Sequence, residues 1–536
     1  MMELTPMLDR TSEEPMYMQL YRYIRGRMEN GTIEAGERLP SIRALSLHLH
    51  VSKIAIEAAY QQLIAEGYVE SRERSGLRAL PLERVPQAAH SGAVAQAEGA
   101  ADIARPRVHS PAAPQAGASS PSVQQRRVTA AASLDTDTTS ASTSTSASAS
   151  ANAPEAAQPP SLEQAVTLHH GIDFDFQYGH IEVERFSIKA WRSAMQTALD
   201  YELHEVFGYG DPQGDKGLRT EIARYLGQSR GVNCRPEQIV MTAGTQQSIS
   251  LLCRLLPLAG RRVAMEEPGY HGTRTVLLDH GCKLLPIPVE PDGISIAELA
   301  AQGEGVSAVY VTPSHQFPMG GVLTVHKRQQ LLQWAADCDA YILEDDYDSE
   351  FRYQGQPIPA LQALDHEGRV IYLGTLSKSF LPGIRMSYIV MPEGLAGPAM
   401  REHLARYSSP VSPLLQRALR HFMQEGHMER HVRRMRRLYQ GKHRQLIHSL
   451  QTHMGDRVSI IGQKAGLHLL LDVHGRSRSE LIPLAEAEGI RVYSPADQWG
   501  DRTACPDSLL ILGFGGLQEK MMDTAVRRLA DCWFGS

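Results

Sequence analysis

Between Tyr68 and Phe174 the chain contains no phenylalanine, tyrosine or tryptophan. Within that tract, from Thr129 to Pro160, Leu134 is the only large apolar side chain; the rest is mostly alanine, serine, threonine and proline. Such a segment cannot bury enough surface to offset the entropy of ordering it. Residues 82–168 are therefore expected to form a flexible linker, the alternative being an extended arm laid on a partner. At 536 residues the chain is also too long for one ordinary core. The tract divides it into a head, residues 12–80, and a body, residues 169–536.

Composition narrows the function classes. Hydrophobic residues make up 42% and charged residues 21%, the balance of a soluble globular protein. Net charge is −6, from 54 basic and 60 acidic residues, so any nucleic-acid site must be a local patch. The first residues, MMELTPMLDRTSEEP, carry acids and no apolar leader core, and no apolar run approaches membrane-spanning length. Six scattered cysteines without a CxxC pair indicate neither a disulfide scaffold nor a metal site. These features point to a reduced, cytoplasmic protein without membrane attachment.

The head reads as helical. Tyr17, Leu20, Tyr21 and Ile24 share one helical face between Pro15 and Met28. Ser41 and Ser52 are placed to cap the next two helices. The first of these carries Leu45 and Leu49, and the second buries Ile56, Tyr60, Leu63 and Ile64. YVESRERSGLRAL (Tyr68–Leu80) alternates around Ser75–Gly76, a hairpin signal. Helix, helix–turn–helix and a two-stranded wing make a small α+β winged helix–turn–helix. Residues 1–80 hold ten Lys/Arg against eleven Asp/Glu, but RLPSIRALSLHLHVSKIAI contains Arg38, Arg43 and Lys53 and no acid. Arg72, Arg74 and Arg78 lie on the wing. The cations thus collect where a groove-facing surface belongs.

The head resembles the DNA-binding domain of the GntR regulator superfamily through YMQLYRYIRGRMENGTIEAGERLPSIRALSLHLHVSK and EAAYQQLIAEGYVESRERSG. The resemblance implies that Arg43, Ser52 and Lys53 contact phosphate and bases of double-stranded DNA and that Gly76 lies in a minor-groove wing. Where the family usually has polar residues this chain has Ile54 and Ala55. Ile54 is either a thymine-methyl contact or an ordinary exposed apolar residue.

In the body, short apolar strands alternate with helical stretches: Ile239–Thr242, Arg262–Met265, Lys283–Ile287, Ala308–Val311, Ala340–Leu343, Val370–Leu373 and Ser387–Val390. That alternation predicts a mostly parallel α/β sheet with ligands beyond the carboxyl ends of its strands. Four segments there supply what pyridoxal 5'-phosphate requires. Lys378 offers an amine for a Schiff base. Asp345 offers a carboxylate to the pyridinium nitrogen. AGTQQS (Ala243–Ser248) offers a helix N-terminus, and Arg385 a guanidinium, to the phosphate. Tyr270, in EEPGY, offers a ring to stack on.

These residues are similar to those of fold-type I aminotransferases, a resemblance covering about 170–536. It implies that Lys378 holds the cofactor as an aldimine, that Asp345 pairs with the ring nitrogen and that Tyr347 bonds the ring hydroxyl. It further implies stacking by Tyr270 and phosphate binding by Gly244, Thr245, Gln246, Thr375 and Arg385. Tyr209, in YGDPQG, matches a segment at the dimer interface that reaches the neighbouring subunit's phosphate. In TPSHQFPMGG, Phe317 stands where aminotransferases carry the asparagine on the ring oxygen, so Gln316 or His315 takes that role or it is vacant. No arginine lies in SLLILGFGGL (Ser508–Leu517), where transaminases hold the substrate carboxylate; Arg491 and Arg502 are poor substitutes.

A GntR head, a long linker and an aminotransferase-like body is the architecture of the MocR subfamily of transcription regulators, which TPSHQFPMGG and LEDDYDSEFRY also resemble. The resemblance implies a homodimer that senses pyridoxal phosphate, an amine or an amino acid. The alternatives are a working aminotransferase with a regulatory head and a cofactor-free dimerisation module. HMERHVRRMRRLYQGKHR carries Arg430, Arg433, Arg434, Arg436 and Arg437 opposite Val432, Met435 and Tyr439. This is read as the solvated face of a long helix, with a DNA-contacting face as the alternative.

Overall fold

The computed structural model describes residues 6, 16–49, 51–65, 68–72, 76–80, 171–353 and 358–535. The linker expected at 82–168, residue Arg74 and the side chains of Ile54 and Arg72 lie outside the described residues.

The head begins with the helix Met16–Glu29, whose Leu20, Tyr21 and Ile24 are buried. Helices Ile42–Leu49 and Lys53–Ala65 follow, and each starts with a serine cap. Ser41 Oγ accepts from the Ala44 amide and Ser52 Oγ from the Ala55 amide, both at 3.2 Å. Ile56, Ala59, Tyr60 and Leu63 are buried, whereas Ile64, expected inside, is only partly so. The Tyr60 hydroxyl donates to the Pro40 carbonyl at 2.8 Å, fixing the turn before the second helix. Strands β1 (Val69–Arg72) and β2 (Gly76–Ala79) pair antiparallel with Arg72 opposite Gly76. Arg78 Nη1 donates to the Gly36 carbonyl at 2.7 Å and ties the wing to the helical part.

The body opens with a short strand, β3 (Phe174–Asp175), that pairs in parallel with β14 (Ile490–Arg491). Its centre is an eight-stranded sheet built from β4 (Ile239–Thr242), β5 (Arg262–Glu267), β6 (Lys283–Glu290), β7 (Gly293–Ile294), β8 (Val306–Val311), β9 (Tyr341–Asp346), β10 (Val370–Thr375) and β11 (Ser387–Val390). The order is β4-β11-β10-β9-β8-β5-β6-β7. β11 runs antiparallel to both neighbours, β7 is antiparallel to β6, and the other pairings are parallel. The inner strands β8, β9, β10 and β11 are almost wholly buried, as is the edge strand β4, as expected for a sheet covered on both faces. A second sheet, β12 (Val458–Ile461), β13 (His468–Val473) and β15 (Leu509–Gly513), is antiparallel. It packs with the helices His427–Met454 and Met522–Phe534 around a separate core.

The end of β9 shows how alternation divides three consecutive acids. Asp345 faces one side, where the Tyr310 hydroxyl donates to its Oδ2 at 2.6 Å. Asp346 faces the other, paired with Arg230 at 2.7 Å and accepting from Tyr372 at 2.6 Å. Glu344 accepts from the amides of Leu361 and Gln362. Near it the fully buried Arg328 donates to the carbonyls of Leu323, Pro313 and Pro359. This guanidinium holds the loop after β8 against the sheet. Replacing it by methionine removes donors from three carbonyls and a cation from Glu344. Arg328→Met is expected to cost roughly 3–5 kcal/mol, read as a lowered urea midpoint of the body; an unchanged midpoint would count against this account.

Candidate functional site

The carboxyl ends of β4, β5, β8, β9 and β10 converge on one cavity of about 270 Å³. Its lining includes Tyr178, Gly244, Tyr270, Asp345, Lys378 and Arg385, with Tyr310, Phe317, Tyr347 and Thr375 beside them. Each strand delivers its group within a few residues of its last hydrogen bond, as open α/β sheets do.

Lys378 follows β10 and points its ammonium into this cavity. Its Nζ lies 4.1 Å from the centre of the Tyr178 ring, a cation–π contact, and no hydrogen bond to it occurs among the described residues. The surrounding shell strips water from the ammonium and pushes its pKa down to about 8, with Asp348 as a weaker opposing influence. Asp345 is pushed the other way, to about 7. Burial is the main cause, and the Tyr310 hydrogen bond works against it. Its Oδ2 is satisfied by Tyr310, but its Oδ1 is buried and has no partner. A buried carboxylate oxygen without a donor is a group waiting for one.

At the opposite end lies an anion cradle. Gly244 caps the helix Thr245–Leu255 at φ 109° with no side-chain cap, so the first-turn amides remain free to bind an anion. A Cβ at position 244 would meet Arg385 Nη2 at 2.3 Å, so the guanidinium lies directly on the glycine. Arg385 itself holds a left-handed conformation, φ 48°, and also donates to the Ala243 carbonyl at 3.2 Å. Thr375 and Ser377 complete this end.

The structure thus brings Lys378, Asp345, Tyr347, Tyr270, Gly244, Thr245, Gln246, Thr375 and Arg385 to one cavity. Gln316 is not among the lining residues. Its Nε2 donates to the Pro268 and Phe317 carbonyls and to Glu266, and its Oε1 accepts from the Met319 amide. Every polar atom of that amide is used to brace the loop, which corrects the expectation that it meets the ring oxygen. His315 is also turned away, with Nδ1 2.9 Å from Asp348 Oδ2. Phe317 occupies the lining in their place. The Tyr347 hydroxyl donates to the His315 carbonyl at 2.9 Å and also lies 2.9 Å from Nδ1 of that ring. Tyr209 is 88% exposed and is not among the lining residues of its own chain's cavity. Arg491 faces Glu486 and Arg502 pairs with Asp497; neither enters the cavity.

Sequence reasoning missed Tyr178 and Tyr310. Tyr178 was signalled only by the return of aromatic residues after the linker, and Tyr310 by its place as the penultimate residue of a strand. In the head, Arg38, Arg43, Ser52 and Lys53 are all exposed, on the turn before the helix–turn–helix and at the starts of its two helices. Gly76 opens β2.

The fold and site define a protein with a helix–turn–helix head and a fold-type I aminotransferase body. Residues 178–528 match the family described as aminotransferase class I and II, and residues 16–78 match bacterial regulatory proteins, gntR family. The uncharacterized HTH-type transcriptional regulator YdeL of Bacillus subtilis (strain 168) is 35% identical over 533 residues, 99% of this chain and 100% of the relative. The probable rhizopine catabolism regulatory protein MocR of Rhizobium meliloti is 32% identical over 527 residues, 97% and 94% of the two chains. LysN, the α-aminoadipate aminotransferase of Thermus thermophilus, solved with N-(5'-phosphopyridoxyl)-L-leucine, is 25% identical with a TM-score of 0.61. That match covers 69% of this chain and 94% of the enzyme. The chain belongs to the MocR subfamily of GntR-type transcription regulators, in which the helix–turn–helix is joined to an aminotransferase-like domain.

Only the neutral amine of Lys378 is nucleophilic, and it predominates above the pKa. Because burial pushes that pKa down to about 8, the rate at which Lys378 condenses with an added aldehyde, pyridoxal phosphate being the probe, should climb with pH and level off just above 8. Stopped-flow absorbance measures this directly. A rate still climbing beyond pH 10, as for a solvated lysine, would contradict the burial argument.

Proposed function

We propose that this chain is a cytoplasmic transcription regulator whose body holds pyridoxal phosphate at Lys378 and couples its occupancy to DNA binding by the head. The observation that carries the reading is the pairing, in one cavity, of an unbonded lysine amine with a buried carboxylate oxygen that lacks a donor. The residues present fit the cofactor: Asp345 Oδ1 would accept the pyridinium proton, Tyr270 would stack, and the Gly244–Arg385 cradle would take the phosphate. Once bound, the cofactor supplies an aldehyde carbon that condenses with primary amines. Lys378 would hold it, and an amine or amino acid that displaces Lys378 would be the effector; the cofactor itself is the other candidate signal.

Sensing requires the ligand to favour one arrangement of head and body over another. The linker separating them and a pair of heads on one operator both serve that end. A homodimer is supported by the segment 201–209, where Tyr201, Phe207 and Tyr209 are 82%, 78% and 88% exposed. Aromatic rings so placed belong against a partner, and a second copy would put Tyr209 at the neighbouring phosphate cradle. Residues 12–80 and 169–536 are the units of this scheme, with 82–168 between them. In the head, Arg38, Arg43, Ser52, Lys53, Ile54, Arg72, Arg74 and Gly76 would face the duplex. Among the described residues no helix is long and apolar enough to cross a membrane.

Steady transamination is the weaker reading. Among the described lining residues Arg385 is the only guanidinium, and it lies at the anion cradle, so none of them leaves an arginine to clamp a substrate carboxylate. The test is a gel shift on the DNA upstream of this chain's own gene, with and without pyridoxal phosphate and a panel of amines. The shift of the wild type should change severalfold with ligand, and Lys378→Ala should bind DNA without responding. An identical shift in every lane would overturn the sensing proposal; no shift at all would overturn DNA binding.

A further inference from the structure

On the long helix His427–Met454, Arg430, Arg433, Arg434 and Arg437 recur at the spacings that place side chains on one face. The other face is committed to the core through Met428, Val432, Met435 and Tyr439. With Arg185, from the segment preceding the helix Ile188–Tyr201, the four line an open concavity of about 450 Å³ whose only other lining residue is Leu438. All five guanidiniums are exposed, and among the described residues none forms a salt bridge. None of their hydrogen-bond partners among the described residues is a carboxylate: Arg430 donates to the Glu425 backbone carbonyl and lies 2.9 Å from His427 Nδ1, and Arg434 lies 3.5 Å from His431 Nδ1. Of the nearby carboxylates, Glu425 is paired with His427 and Glu350 accepts from Tyr225, while Glu429 reaches only to within 3.8 Å of Arg224 and pairs with none of the five.

Five uncompensated cations in one hollow repel one another, and this occurs in a chain whose net charge is −6. Such an arrangement is relieved by a polyanion. Guanidinium forks match phosphate oxygens, and the span from Arg430 to Arg437 is about 10 Å along the helix, close to three 3.4 Å steps of one DNA strand. A protein partner would need an apolar centre to the interface, and Leu438 alone does not provide one. The roughly 90 residues between Leu80 and Gly171 can span up to about 300 Å, so their length does not keep body and head off one duplex.

We propose that the hollow formed by Arg185, Arg430, Arg433, Arg434 and Arg437 is a second DNA contact, sequence-independent, that grips the phosphodiester backbone of the duplex whose sequence the head reads. It rests on the DNA-binding reading of the head but adds a surface on the body. Phosphate contacts are counted by salt dependence, since each one neutralised steepens the fall of log K with log salt by about 0.9.

The test compares the full-length wild type with Arg433→Gln/Arg434→Gln/Arg437→Gln on a long random-sequence duplex, using fluorescence anisotropy over a range of salt. The triple variant should lose about 2 to 3 from the slope. Arg401→Gln, an exposed arginine elsewhere on the body, should leave it unchanged, as should replacing the same three arginines by lysine. If the triple variant aggregates, Arg434→Gln alone should lose about 1. A wild-type slope in the glutamine variants, alongside an Arg43→Ala/Lys53→Ala head variant that no longer binds, overturns this contact and leaves the head reading standing. Failure of every form to bind DNA overturns both. Weakened binding of poly-L-glutamate with an unchanged DNA slope overturns it in favour of an acidic polypeptide.

Discussion

A primary amine and a carboxylate share one water-poor cavity and do not touch. Burial lowers the pKa of Lys378 and raises that of Asp345, so the charged form of each is disfavoured. Two opposite charges left free to relax would form an ion pair. The sheet prevents it by anchoring each to a different partner, Asp345 to Tyr310 and Lys378 to the face of Tyr178. The rest of the body serves that separation. β9 and β10 lie side by side in parallel register, so their ends set the spacing, and Arg328 and Gln316 brace the loop that closes the cavity.

Much of this arrangement was legible in the sequence because it depends on strand ends. The cores of seven strands could be read from short apolar runs; β4 and β11 coincide with them and the other five extend them by two or three residues at one end, carrying Asp345 inside β9 rather than just past it. Lys378, Asp345, Tyr270, Arg385 and the Gly244 turn follow from where chemistry must sit on such a sheet. What failed was inference across the loop after β8. Position 316 carries an amide, the right chemistry for a ring oxygen, but backbone carbonyls of the same loop and Glu266 compete for it and win. No local pattern encodes that competition. Tyr178 was equally hidden, since nothing near it in the chain mentions the lysine two hundred residues away. The antiparallel strands β12 and β13 were also unread, because the apolar run of β13 lacks the alternation that marks a half-exposed strand.

The departures from an enzyme follow a consistent direction. The groups proposed to hold a cofactor line the cavity, whereas Phe317 and the stretch Ser508–Leu517 lack the asparagine and the arginine that the aminotransferase resemblance would place there. Phe317 lines the cavity where aminotransferases carry an amide, and Arg385, the only guanidinium among the described lining residues, lies at the Gly244 helix N-terminus. On the proposed reading, Lys378 would bind an aldehyde covalently and reversibly, and a site used in that way would act as a receptor.

The account stands on the covalent chemistry of one side chain. Protein saturated with pyridoxal phosphate, reduced with borohydride and digested, should yield a phosphopyridoxyl peptide containing Lys378, and Lys378→Ala should yield none. Recovery of that peptide unmodified from cofactor-saturated protein, or equal labelling of surface lysines, would contradict the central claim.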